Sequence, residues 1–148
     1  MDIHGRYTEV LIRWMERLST GQPPLIFGDG KQTMDFVHVR DVARANILAA
    51  KSDVSDHVFN VASGTETSLR QLADLLAAVM GRSDLTPEFG PERSVNPVPR
   101  RLGSTVKADD KLGFRAQIPL DTGLRELVEW WRAEKHCFSA PMTEAVAL

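Results

Sequence analysis

Short apolar runs alternate with segments of helical periodicity along this chain, and no run is followed by a glycine-rich turn that leads into a helix. Alternation of this kind specifies a mixed α/β domain of short strands and helices. The missing turn excludes, within these residues, the dinucleotide-binding unit in which Gly-x-Gly-x-x-Gly joins a strand to a helix and cradles a pyrophosphate. The nearest approach, Gly28-Asp29-Gly30, continues Lys-Gln-Thr without a third glycine. It also stands between two strand-like runs, where a turn is needed on any account.

The elements follow from spacing. Residues 5–20 read as a helix, with Tyr7, Val10, Leu11, Trp14, Met15 and Leu18 on one face, stopped by Gly21 and Pro23-Pro24. Leu25-Ile26-Phe27 is a strand, residues 33–39 a second extended run, and Asp41 the expected N-cap of a helix carrying Val42, Ala45, Leu48 and Ala49. Val58-Phe59-Asn60-Val61 is strand-like and Ser63-Gly64-Thr65 a loop. Ser68 with Gln71 fits a capping box for a helix to Met80, which Gly81 stops. Residues 86–89 suggest one more strand. Residues 90–103, with three prolines and two glycines, suggest no regular element. A short helix from Ser104 ends at Gly113, and a last helix from about Asp121 buries Leu124, Leu127, Val128 and Trp131. The expected boundaries are a domain over 1–135 and a flexible tail over 136–148.

Composition narrows the function classes. At 148 residues the chain has room for one core. A net charge of −2, and basic residues without interleaved aromatics, exclude nucleic acid as a partner. No apolar stretch approaches a bilayer span, and the first ten residues lack an apolar signal core; we therefore expect no membrane association and a cytoplasmic location. Cys137 is the sole cysteine, and His4, His38, His57 and His136 lie at no metal-like spacing, so no metal is expected. Tyr7 has Leu11 four residues on, so a Tyr-x-x-x-Lys acid/base pair is missing, and no Gly-x-Ser-x-Gly elbow exists. The expected set of catalytic residues is empty. What remains resembles a ligand site. Leu25 to Gly28 offer backbone amides and an aromatic face, although Ile26 reads as core. The Pro-rich stretch over 91–107 gathers Arg93, Arg100, Arg101 and Lys107, and arginine forks suit diphosphate oxygens.

Four blocks in fixed order bear a resemblance to a known family. They are Gln-Pro-Pro-Leu-Ile-Phe-Gly-Asp-Gly (22–30), Gln-Thr-Met-Asp-Phe-Val-His-Val-Arg-Asp (32–41) and Phe-Asn-Val-Ala-Ser-Gly-Thr-Glu-Thr-Ser (59–68). The fourth runs from Val106-Lys107-Ala108 through Leu112-Gly113-Phe114 to Leu120 and Trp131. Together they resemble the carboxyl-terminal part of the extended short-chain dehydrogenase/reductases acting on nucleotide sugars, the NAD-dependent epimerase/dehydratases such as UDP-glucose 4-epimerase.

The resemblance implies a two-domain enzyme. A Rossmann half, missing here as if the chain were entered at an internal methionine, binds NAD and carries the catalytic Ser/Thr, Tyr and Lys. The half seen here holds the nucleotide sugar, a UDP-sugar by analogy. On that basis the chain alone binds no cofactor and turns nothing over. The alternatives are a free-standing nucleotide-sugar binding or regulatory module, or one subunit of a split enzyme with a separate Rossmann chain. The resemblance puts Leu25 and Phe27 against the base, gives Asn60 a structural role, and brings one of Arg93, Arg100 and Arg101 to the diphosphate. Where the family has a phosphate-binding arginine before Asp-Phe, this chain has Met34, which a thioether cannot replace and for which Arg100 or Arg101 would compensate. Trp14, Phe36 and Trp130 are candidates for the surface facing the Rossmann half, with Trp14 favoured as core.

Overall fold

The computed structural model describes residues 9–92 and 98–139, the last four by backbone alone. The order is α1 (Val10–Ser19), β1 (Leu25–Phe27), β2 (Thr33–Asp35), α2 (Val39–Lys51), β3 (Glu66–Ser68), α3 (Leu69–Val79), β4 (Glu88–Gly90), β5 (Arg100–Arg101), α4 (Val106–Leu112) and α5 (Leu120–Ser139). The strands make two small sheets, β1 parallel to β4, and β3-β2-β5 with β2 antiparallel to β3 and parallel to β5.

The apolar stripe of α1 supplies Ile12, Trp14, Met15 and Leu18 to the main core. Leu72, Ala73, Leu76 and Ala77 of α3 and Leu124, Val128 and Trp131 of α5 close it, with Ile26 of β1. Removing each of the larger aliphatic side chains from water contributes roughly 1.5–3 kcal/mol. Trp14 is anchored as well as buried, because its indole N–H donates to Leu25 O at 2.9 Å. That bond fixes α1 against β1. Trp14 is therefore core, while Phe36 is half-buried and Trp130 is 39% exposed. A second, smaller cluster joins Ala45 of α2, Ala108 of α4 and Phe114.

The capping box before α3 is present in both directions, with Gln71 N donating to Ser68 Oγ at 3.2 Å and Ser68 N to Gln71 Oε1 at 2.9 Å. The N-cap of α2 is a correction. It is His38, whose Nδ1 accepts from Arg40 N at 3.1 Å, and the helix opens three residues earlier than Asp41 at its cap would allow. Asp41 lies in the first turn, buried, where its carboxylate accepts from the amides of Gln117 and Ile118 and from Arg44 Nη2.

The strand expectations also shift. Residues 58–61 join no ladder, and Val58 is 84% exposed. β3 forms instead at Glu66–Ser68, in what the sequence offered as loop and cap, because those residues find β2 as a partner. β5 forms within 90–103, where regular structure was not expected. β2 covers only the first part of the extended run, since the chain turns at His38 into α2. α5 continues to Ser139, into the segment expected as tail. Tyr7, His4 and Arg93 lie outside the described residues.

Candidate functional site

A cavity of about 590 Å³ opens between α1, β1, β2 and β5. That volume is in the range of sites for drug-sized ligands. One wall is β1. Ile26 is buried in the core, Leu25 and Phe27 are half-buried, and all three line the cavity. The Phe27 ring also lies against β4 at Gly90, where a side chain would crowd it: an added Cβ would sit 3.3 Å from Phe27 Cδ1.

The rim is the turn after β1. Gly28 and Gly30 take φ of 87° and 71°, conformations that favour glycine, and Lys31 N closes the turn on Asp29 Oδ1 at 2.9 Å. The bond from Lys31 N holds the Asp29 carboxyl below its usual range. Gln32 Nε2 donates to Phe27 O at 3.3 Å and ties β1 to the start of β2. This turn leads into a strand, so its amides do not cap a helix and do not form a dinucleotide cradle.

The opposite wall is set by register. Met34 of β2 pairs with Arg101 of β5, and Thr33 with Arg100. Met34 and Arg101 share one face and both line the cavity. Arg100 takes the other face, where its Nε and Nη2 donate to the two oxygens of Glu66 at 2.6 and 2.7 Å. Thr33 Oγ1 donates to the same carboxylate at 2.8 Å. The Arg100 fork, with the Thr33 hydroxyl, lowers the Glu66 pKa to about 2. Arg101 makes no ion pair among the described residues.

The sequence thus brought Leu25, Phe27 and Arg101 to one cavity. Arg100 stands outside it, committed to Glu66, and Arg93 is outside the described residues. Asn60 is structural in its contacts, donating from Nδ2 to Ser104 O at 3.3 Å. Asp35 does similar work for the loop after it, accepting from Ser63 N, Ser63 Oγ and Gly64 N. Gln32, Lys31 and Glu92 line the cavity without having been singled out, and Glu66 was quoted in a block but given no role. No alternation of apolar and polar residues marks 66–68 as a strand, so its facing partners were not visible. Among the described residues no three His, Cys, Asp or Glu side chains converge as a metal requires, and no helix is long and apolar enough to cross a membrane.

Comparison with known proteins points one way. Residues 2–62 match the NAD dependent epimerase/dehydratase family. The UDP-glucose 4-epimerase of Mycolicibacterium smegmatis is 38% identical over 131 residues, 88% of this chain and 41% of its own length. The crystal structure of UDP-glucose 4-epimerase from Thermotoga maritima with UDP-glucose superposes with a TM-score of 0.79 at 35% identity, covering 90% of this chain and 42% of that one. MoeE5, solved in complex with UDP-glucuronic acid and NAD, gives a TM-score of 0.72 at 30% identity over 90% of this chain and 44% of its own. The chain spans about two fifths of the length of these relatives.

Proposed function

This chain belongs to the NAD-dependent epimerase/dehydratase family, as a carboxyl-terminal portion of it, and we propose that it is the lobe that holds the nucleotide diphosphate of a nucleotide sugar. The observation that carries this reading is the cavity in which Arg101 faces the apolar strand of Leu25 and Phe27. A base needs a flat apolar wall, and Leu25 and Phe27 of β1 offer one. A diphosphate is well met by a guanidinium not already paired, and Arg101 has no ion pair among the described residues.

The nucleotide handle is remote from any sugar carbon that reacts. Contacts to it therefore orient the substrate, and their energy is used at a centre supplied elsewhere. NAD, when bound, supplies the hydride acceptor and donor for such chemistry. The residues described here do not fit NAD, because the one glycine turn at the site leads into a strand. We assign the cofactor, and the proton-transferring side chains, to the part of the family fold that this chain does not span.

The test is titration calorimetry of the purified chain with UDP-glucose, beside Arg101→Ala. The expected result is weak binding, since contacts from a second wall are missing, and its loss in the variant. Equal affinity in the two proteins would sink the reading. Turnover of UDP-glucose by this chain with added NAD would also sink it. Tight binding by the chain alone would favour a free-standing binding module.

A further inference from the structure

We propose that Glu66 is a positioning residue, which clamps Arg100 from the far side of β2 and so turns Arg101 into the cavity. The inference rests on the reading of that cavity as a nucleotide-sugar site. It concerns a side chain that touches neither cavity nor ligand.

β5 is two residues long and, among the described residues, pairs only with β2. A strand so short has little ladder to fix its register, and a slip of one residue would exchange the faces of Arg100 and Arg101. Then Arg101 would leave the cavity face, and the guanidinium in its place would be that of Arg100, withdrawn from Glu66. What resists the slip is the carboxylate of Glu66. It belongs to β3, on the other flank of β2, and reaches across to take both Nε and Nη2 of Arg100. Two parallel bonds to a planar fork fix orientation as well as distance. The Thr33 hydroxyl, from the intervening strand, donates to Glu66 Oε1 and orients the carboxylate. All three strands of the sheet are thereby joined on the face that carries Arg100. Because neighbours on a strand point oppositely, holding Arg100 on that face holds Arg101 on this one.

An exposed ion pair adds little to global stability. The clamp therefore makes a separable prediction: its loss weakens the phosphate contact without lowering the unfolding midpoint. A purely structural role would do the reverse.

The experiment uses the isotopically labelled chain and three proteins: wild type, Glu66→Gln, and the exchange Glu66→Arg with Arg100→Glu. Nuclear magnetic relaxation of the Arg101 Nε–H reads its order without ligand, and titrations with UDP and with uridine read binding. In Glu66→Gln we expect Arg101 to become more mobile and UDP affinity to fall about tenfold, the scale of one misaligned charge-assisted contact. Uridine affinity and the unfolding midpoint should hold. The exchanged pair should restore UDP affinity to within about threefold. Unchanged Arg101 order and UDP affinity in Glu66→Gln would overturn the proposal. So would an equal loss for UDP and uridine with a lowered midpoint. If Arg101→Ala leaves UDP affinity intact, the nucleotide-sugar reading fails, and the order of Arg101 still decides whether the clamp exists.

Discussion

Met34 of β2 and Arg101 of β5 face each other in direct register across a parallel ladder, side by side on the cavity wall. The position where the family resemblance expects an arginine thus has a guanidinium on the adjacent strand. This pair of positions thus supplies one guanidinium, from Arg101, beside the Lys31 ammonium that also lines the cavity.

Restoring the second guanidinium should tighten binding of a doubly charged phosphate. Met34→Arg is expected to raise affinity for UDP about fivefold at low ionic strength, with the gain shrinking in 0.5 M salt as about 3–4 Å screening sets in. Like charges opposed on a ladder should cost the unliganded fold up to about 1 kcal/mol. Calorimetry at two salt concentrations checks the first effect and urea unfolding the second. An affinity indifferent to the added arginine would place the phosphate elsewhere.

The buried carboxylate of Asp41 predicts a large stability effect far from the site. Burial alone pushes its pKa up, but the amide of Ile118, the guanidinium of Arg44 and the amide of Gln117 outweigh burial and hold it below the usual range. Asp41→Ala leaves two amides and a guanidinium without their acceptor, at a cost of about 3 kcal/mol. Urea denaturation of the variant measures it; a loss under about 1 kcal/mol would mean that water replaces the carboxylate.

Glu66 gives the pH dependence. Its folded pKa, about 2, is depressed from 4.5. The sign is that of any depressed acid, with the contribution of the ionised form present above about pH 4.5 and lost as pH falls toward 2, but solvent screening of this exposed pair keeps it local and too small to move global unfolding. Between those limits the amide resonances of Arg100 and Arg101 should shift while the α1–α3–α5 core remains folded. In Arg100→Gln the Glu66 carboxyl should titrate closer to 4.5. The carboxyl carbon shift of Glu66 against pH reads both, and an unmoved midpoint in that variant would remove Arg100 as the cause.

Gly103 is confined by space. A Cβ there would lie 2.7 Å from Ala62 Cβ, well inside contact distance. Gly103→Ala should therefore cost about 1–3 kcal/mol, because both neighbours belong to backbone segments that must separate. Gly103→Ala with Ala62→Gly should recover most of it. The pair of unfolding midpoints tests this directly.

Several elements were legible in the sequence because their signals are local. The strand Leu25–Phe27 and the Ser68–Gln71 box depend on residues within one or two turns and stand where the spacing put them, whereas α1 opens at Val10 rather than at residue 5 and buries Ile12 beside the expected Trp14, Met15 and Leu18. The N-cap of α2 was missed because His38 and Asp41 are both competent acceptors, and the amides of Gln117 and Ile118, some 76 residues away, claimed Asp41.

The sequence by itself determined that short strands interleave with helices, that its glycines lack the Gly-x-Gly-x-x-Gly spacing, and that four blocks match a nucleotide-sugar family in order. Tertiary structure alone decided which arginine serves the cavity. Arg100 and Arg101 are adjacent and chemically identical, so nothing local separates them. Their faces were assigned by the pairing of β5 with β2 and by the carboxylate of Glu66, 34 residues before Arg100. Facing across a ladder depends on register between distant segments, and composition and periodicity do not encode it.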